Sequence, residues 1–330
     1  MDRDNRIWNR RHWMGAGVAM AGAMTGLGAR AQTKWPEKPI KLVVGFPPGG
    51  ATDVVARIVS GPLGEALGTT VVIENRPGAA SNLAMAEVAR AATDGYTVLI
   101  APTTVESANP FLYKTPVNPA NDLLPVAGLC RFQLHMVVRP NFPGKDVGEL
   151  IAFAKKNPGK VTYSSAGAGT TPHLIGELFL QQAGIQAVHV PYKGSAPALQ
   201  AVLAGDVDFV MDPGISFQHV RAGKASMFAV ASPSRSKQFP EVATLGEKGV
   251  PGIDHDTWAG LWLPAGTADD VRARLSLAVG QVLVQPDVQK RMQALSGEAV
   301  YMDSPQYRQM LKQETAAFSG VIRNRKIVAE

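Results

Sequence analysis

Lys41-Leu42-Val43-Val44-Gly45-Phe46-Pro47-Pro48-Gly49-Gly50-Ala51-Thr52-Asp53 is the stretch whose reading decides the fold of this chain. An apolar β-type run breaks into a Pro/Gly loop and helical periodicity opens at Val54, which predicts strand, loop and helix start. A helix start leaves backbone N–H groups without intrahelical partners and carries the positive end of the macrodipole. Glycines in front of it let an anion approach the backbone, so residues 46–53 predict half of a small-anion site of the carboxylate kind.

Gly45, Gly50 and Thr52 also have the spacing of a phosphate-binding P-loop. Ala51, however, stands where a lysine has to reach the phosphates, and Pro47 and Pro48 remove two N–H donors. That disfavours a nucleotide and leaves a plain structural turn as the other alternative.

The chain has 330 residues, 45% hydrophobic and 18% charged, a globular composition too long for one average domain. Near the N-terminus Arg3, Arg6, Arg10 and Arg11 precede an uncharged run over 15–28, and Ala29-Arg30-Ala31 places small residues where a signal peptidase reads them. The run is too short and too rich in Gly and Ala to span about 30 Å of hydrocarbon. Residues 1–31 therefore predict a signal peptide cleaved near Ala31, and export to the periplasm. Asn9-Arg10-Arg11-His12-Trp13-Met14 has the pattern of a twin-arginine signal, with general secretion as the alternative.

Cleavage removes five arginines and two aspartates, which lowers the net charge from +6 to +3. No basic block interleaved with aromatics is present, so nucleic acid is not an expected partner. Cys130 is the only cysteine and the six histidines show no i, i+4 pair, so neither a disulfide nor a metal site is expected.

Along the mature chain, strand patterns at 42–46, 71–74 and 96–101 alternate with helical ones at 53–67 and 83–91, a βαβαβ order. Gly61-Pro62 predicts a break or kink near Ser60. The third strand runs into Thr103 and Thr104 at the carboxyl edge of the sheet, where ligands bind in open α/β folds; helix capping explains the same threonines equally well. A polar, Pro-rich connection over 109–125 precedes a run over 136–140 that reads as a strand leaving the first lobe. Helices at 147–156, 171–182 and 195–203 then alternate with strands at 160–164, 187–190 and 208–211. A strand at 257–264, helices at 268–284 and 286–295, a strand at 299–302 and a last helix capped by Ser304 complete the pattern, which is housed most simply if the chain crosses back to finish the first lobe.

The second lobe has its own strand, glycine loop and helix start in Tyr163-Ser164-Ser165-Ala166-Gly167-Ala168-Gly169-Thr170-Thr171-Pro172-His173. Ser165-x-Gly167 resembles part of a nucleophile elbow, but Tyr163 holds the first glycine position, which disfavours a serine hydrolase. His173, in the first turn of its helix, reads as a locally packed neutral imidazole or as a ligand contact. Asp212 before Pro213-Gly214 reads as turn chemistry or as a ligand contact.

These residues carry a resemblance. Phe46-Pro47-Pro48-Gly49-Gly50-x-Thr52-Asp53, Glu74-Asn75-Arg76-Pro77-Gly78 and Asp94-Gly95-Tyr96 resemble the Bug family, the extracytoplasmic solute-binding receptors of tripartite tricarboxylate transporters. Ala166-Gly167-x-Gly169-Thr170-x-x-His173-Leu174, His189-Val190-Pro191-Tyr192-Lys193-Gly194 and Leu263-Pro264-Ala265-Gly266-Thr267 are similar to that family's motifs in the second half. The resemblance implies a type II periplasmic-binding-protein fold, two α/β lobes joined by two crossing strands. Lobe 1 is expected over 32–138 and 259–330, lobe 2 over 139–258, with the ligand cleft between them. It implies a monomeric receptor, without catalysis or cofactor, that captures a small carboxylate and delivers it to the membrane subunits of a transporter. Family members bind mainly through the two glycine loops, which transfers to Phe46, Pro48, Gly49, Gly50, Ala51 and Asp53, and to Ser165, Ala166, Gly167, Gly169 and Thr170. Thr103, Thr104, His173, Lys193 and Asp212 are further cleft candidates. An exported α/β hydrolase, or an orphan binding protein feeding a sensor, are the competing functions.

Replacing Arg10 and Arg11 together by lysine is expected to leave the precursor in the cytoplasm, as read by cell fractionation; normal periplasmic accumulation would assign general secretion instead.

Overall fold

β1 (Ile40–Val44) is the buried strand from which the first lobe grows. It is followed by α1 (Ala51–Leu67), β2 (Val71–Asn75), α2 (Asn82–Ala89) and β3 (Thr97–Pro102). β1 pairs in parallel with both β2 and β3, the arrangement that helical crossovers permit. The computed structural model describes residues 35–253 and 255–328, so the leader, its arginine pair and the cleavage position expected at Ala31 lie outside the described residues.

α1 differs from expectation in two ways. It starts at Ala51 rather than Val54, because Gly50 takes an extended conformation (φ −75°, ψ 163°) and serves as N-cap. It also runs unbroken through Pro62. Proline clashes with the Cβ of the residue before it, and Gly61 has none. The buried stripe of Val55, Ile58, Val59, Leu63 and Leu67 then supplies the packing that keeps the segment helical.

Three one-turn helices, α3 (Thr104–Ser107), α4 (Asn109–Leu112) and α5 (Pro119–Asp122), lead into β4 (Leu123–Phe132). Pro125 and Gly128 hide this ten-residue strand in the sequence. Pro125 is accommodated because the β11 ladder on one side of β4 ends at Gly128, so no neighbour on that side needs its missing N–H. β5 (His135–Val138) follows, then α6 (Val147–Lys156), β6 (Val161–Ser165), α7 (Thr171–Ala183), β7 (Ala187–Pro191), α8 (Ser195–Ala204), β8 (Phe209–Asp212), α9 (Phe217–Arg221) and β9 (Ser226–Val230). The chain returns through β10 (Thr257–Pro264), α10 (Asp269–Leu283), α11 (Pro286–Gln293), β11 (Gly297–Met302) and α12 (Ser304–Arg325).

Two mixed sheets result, with strand orders β11-β4-β10-β3-β1-β2 and β7-β6-β8-β5-β9. The returning β10 inserts antiparallel between β3 and β4. The run that reads as leaving the first lobe is already inside the second: β5 pairs antiparallel with β8 and with β9. The chain therefore passes between sheets at Gln133 and Leu134, and returns between β9 and β10.

α12 belongs to both halves. Tyr307 and Leu311 pack in the core under the first sheet, whereas Phe318 and Ile322 pack in the core of the second. Its N-cap is Asp303, one residue before the expected Ser304, in a capping box with Gln306. Near its end the Arg325 Nε donates to Glu177 Oε2 at 2.9 Å, and the Tyr163 hydroxyl donates to Glu177 Oε1 at 2.7 Å.

Gly260 in β10 faces fully buried Tyr307, and a Cβ there would overlap the Tyr307 hydroxyl. The ring cannot withdraw, since it lies 5.2 Å from the Trp262 ring. Gly260→Ala is expected to destabilise the fold by about 1–3 kcal/mol, read as a lower urea midpoint with unchanged slope; an unchanged midpoint would mean that the core yields.

Candidate functional site

The first glycine loop is held from within. Gly49 adopts φ +84°, a region that favours glycine, and its N–H donates to Asp53 Oδ2 at 2.9 Å. The buried Asp53 carboxylate also accepts from Arg57 Nε at 2.8 Å, Arg57 Nη2 at 3.0 Å and Asn75 Nδ2 at 2.9 Å. Burial alone would raise its pKa, but these bonds outweigh it and hold the carboxyl below the ordinary aspartate range. Asp53 is thus spent on shaping the loop, and the start of α1, with the Ala51 and Thr52 amides in its first turn, is left for the cleft.

The second loop is tied down similarly. Gly167 N–H donates to Ser165 Oγ at 3.1 Å, and Ser165 Oγ lies 2.7 Å from His189 Nε2. Gly169 N–H donates to His173 Nδ1 at 3.0 Å, so that nitrogen is an acceptor and the ring carries its proton elsewhere. The His173 and His189 rings stack with centroids 3.8 Å apart. Burial pushes His173 down to about 4 and His189, further lowered by His173, to about 3. Both are therefore neutral near pH 7. The Ser165 hydroxyl points into this packed cluster, behind the loop.

Between the lobes lies a cavity of about 40 Å³, room for two or three waters. Phe46, Gly50, Ala51 and Thr52 line it from the first loop and α1; Ala166, Thr170, Thr171 and Pro172 line it from the second loop and α7. Ser195, the first residue of α8, brings a third helix N-terminus to it. Pro102, Phe132, Pro213 and Trp258 add apolar walls, and no Lys, Arg or His among the described residues lines it. Pro172 deletes one amide from the start of α7, but the adjacent Thr171 hydroxyl is buried without a hydrogen-bond partner among the described residues. The two lobes are latched to each other by the Tyr113 hydroxyl, which donates to the Ala168 carbonyl at 2.5 Å.

Of the residues expected at the site, Phe46, Gly50, Ala51, Ala166 and Thr170 come together on this cavity. Pro48, Gly49, Asp53, Ser165, Gly167, Gly169 and His173 belong to the loops or their supports and do not line it. Thr103 and Thr104 are buried beneath it, Thr103 N–H donating to the Trp258 carbonyl at 3.0 Å. Lys193 is exposed and off the cavity. Asp212 makes turn bonds through one oxygen, its Oδ2 accepting from the Gly214 and Ser216 N–H groups at 2.8 and 3.0 Å and from the Ser216 hydroxyl at 2.7 Å, while its Oδ1 is buried without a partner among the described residues. Thr171, Ser195, Phe132 and Trp258 were not singled out as site residues; only the helix starts at 171 and 195 hinted at two of them.

A sequence profile described as "Tripartite tricarboxylate transporter family receptor" matches residues 55–327. Among solved structures, Rpa4515 of R. palustris with adipate superposes with a TM-score of 0.86 at 30% identity, over 89% of this chain and 99% of that one. The periplasmic binding protein BugD gives 0.83 at 31% identity, over 90% and 100%. MatC (Rpa3494) from Rhodopseudomonas palustris with bound malate gives 0.81 at 30% identity, over 87% and 100%. The fold is the type II periplasmic-binding-protein architecture that the motifs implied.

The buried neutral histidines make stability depend on pH. The unfolded chain takes up protons as pH falls past the ordinary histidine value of 6.5, whereas folded His173 resists until about 4, so stability falls over that interval. His173→Asn keeps an acceptor for Gly169 N–H and removes one titrating group. Its stability is expected to fall less steeply between those limits, by about 1.4 kcal/mol per pH unit. Denaturant titrations at several pH values check this, and parallel slopes for both proteins would refute it.

Proposed function

Since this chain belongs to the tripartite tricarboxylate transporter receptor family, we propose that it captures a small organic carboxylate in the periplasm and delivers it to the membrane subunits of a transporter. It is a receptor rather than an enzyme. One observation carries the ligand class: the starts of α1, α7 and α8 converge on one apolar-walled cavity with no cation on its lining among the described residues. Such a site offers partial positive charge through backbone N–H groups and accepts a carbon skeleton between Phe46, Phe132 and Trp258. The relatives' adipate and malate support a dicarboxylate, one end on the first-lobe amides and the other on Thr171 and the α7 start.

A cavity of about 40 Å³ is too small for such a molecule to enter unaided. The reading therefore includes an opening motion about the two crossing segments, with release of the Tyr113 to Ala168 latch. Pro48, Gly49, Asp53, Gly167 and Gly169 set the loop shapes, while Phe46, Gly50, Ala51, Thr52, Thr170 and Thr171 meet the ligand.

Thermal-shift screening of an organic-acid library is expected to show stabilisation by dicarboxylates, about 2.7 kcal/mol at 100 times the dissociation constant. Two substitutions then test the mode of binding. Ala51→Pro removes one amide at the first helical position, where proline fits, and Thr171→Val removes one hydroxyl at constant shape. Each is expected to weaken binding about tenfold by calorimetry, with Lys193→Ala unchanged. Loss of binding in Lys193→Ala alone would replace the helix-terminus mechanism with a salt bridge.

A further inference from the structure

A second cavity, of about 220 Å³, lies behind the crossing segments. Successive side chains of a strand point to opposite faces. Phe132 lines the cleft while its neighbours Arg131 and Gln133 line the second cavity; Thr257 lines the cleft while Asp256 lines the second cavity. Both halves of the protein contribute to it: Gln293, Ser296, Gly297 and Glu298 come from α11, β11 and the turn between them, and residues 234–238 come from the segment that returns from β9. The Gln238 Nε2 already reaches across to donate to the Gln293 carbonyl at 3.1 Å.

The chemistry of the two cavities is opposite. No apolar side chain of the described residues lines the second, and its groups are mostly donors: the cations of Arg131, Arg235 and Lys237, three glutamine amides and three serine hydroxyls. Its carboxylates are Asp256 and Glu298, and Arg131 takes both, at 3.5 Å and 2.5 Å. Arg235 pairs with Glu247 at 2.9 Å, outside the lining. Exposed Lys237 forms no ion pair among the described residues, and the lining carries three cations against two carboxylates.

We propose that this cavity is a second binding site, for a small tetrahedral oxyanion, bridging the two lobes behind the crossing segments. Four acceptor oxygens match walls whose side chains all end in polar groups, most of them donors. The Lys237 ammonium meets the charge, while the hydroxyls of Ser234, Ser236 and Ser296 and the guanidinium edge of Arg235 share the oxygens. This site is separate from the cleft and does not depend on which organic acid the cleft takes.

The test is calorimetric titration with inorganic phosphate, at ionic strength held constant with chloride, of the wild type, Lys237→Glu, Lys237→Gln and the cleft variant Thr171→Val. Lys237 is exposed, so its variants are expected to melt like the wild type. Saturable one-to-one binding is expected in the wild type and Thr171→Val, weakened about tenfold or more in Lys237→Glu and less in Lys237→Gln. A saturating cleft dicarboxylate is expected to leave phosphate binding in place. Absence of saturable binding, binding that Lys237→Glu leaves intact, or displacement of phosphate by the dicarboxylate would each overturn the proposal.

Discussion

Amides at the start of a helix have no partner in their own helix, and this protein aims three such starts at one small space between two lobes. The rest of the site follows from keeping those amides available and in position. A carboxylate inside the first loop has to be consumed there, or it would repel an anionic guest; Arg57, Asn75 and the Gly49 amide consume that of Asp53. In the second loop, neutral acceptors do the same work: Ser165 Oγ holds Gly167 and His173 Nδ1 holds Gly169. Because Arg57 neutralises Asp53 and the second-loop acceptors are neutral, these supports fix the loops without adding net charge to the cleft.

Much of the fold was legible because its elements repeat a simple order. Strand, glycine loop and helix recur at 41–53 and 163–173, and the bounds of β10 and α6 follow from apolar periodicity alone. What could not be read depends on neighbours. Pro125 and Gly128 argue against a strand, yet β4 forms because β10 runs along its length and β11 stops short of the proline. Pro62 argues against a continuous helix, yet the buried face of α1 and the missing Cβ of Gly61 override it. β5 looked like a departure from the first lobe because three apolar residues in a row carry no mark of which sheet they will join.

The site divides along the same line. Both loops were legible from their glycines, but not which side chains face the guest, since side-chain direction in a tight loop depends on the bonds that hold it. His173, Asp212 and Ser165 look available in a string of letters and are each engaged inward by a partner two to twenty-four positions away. Phe132 and Trp258 come from β4 and β10, far apart in sequence, and meet only because those strands pair. Thr171 is the opposite case: a threonine next to a helix-starting proline usually serves the helix, and here its hydroxyl is left over.

α12 makes the two lobes something other than plates on a free pivot. Its 22 residues span about 33 Å, rooted at one end among Tyr307 and Leu311 and at the other among Phe318 and Ile322. Any swing of the lobes therefore loads this rod elastically, and the load concentrates between the two anchorages. Between them, Thr315 Oγ1 donates to the Leu311 carbonyl at 2.7 Å, a side-chain bond of the sort that bends helices. The helix is built as a leaf spring with its compliant section between its clamps, so any opening of the lobes would be limited by the stiffness of that section as well as by the crossing strands.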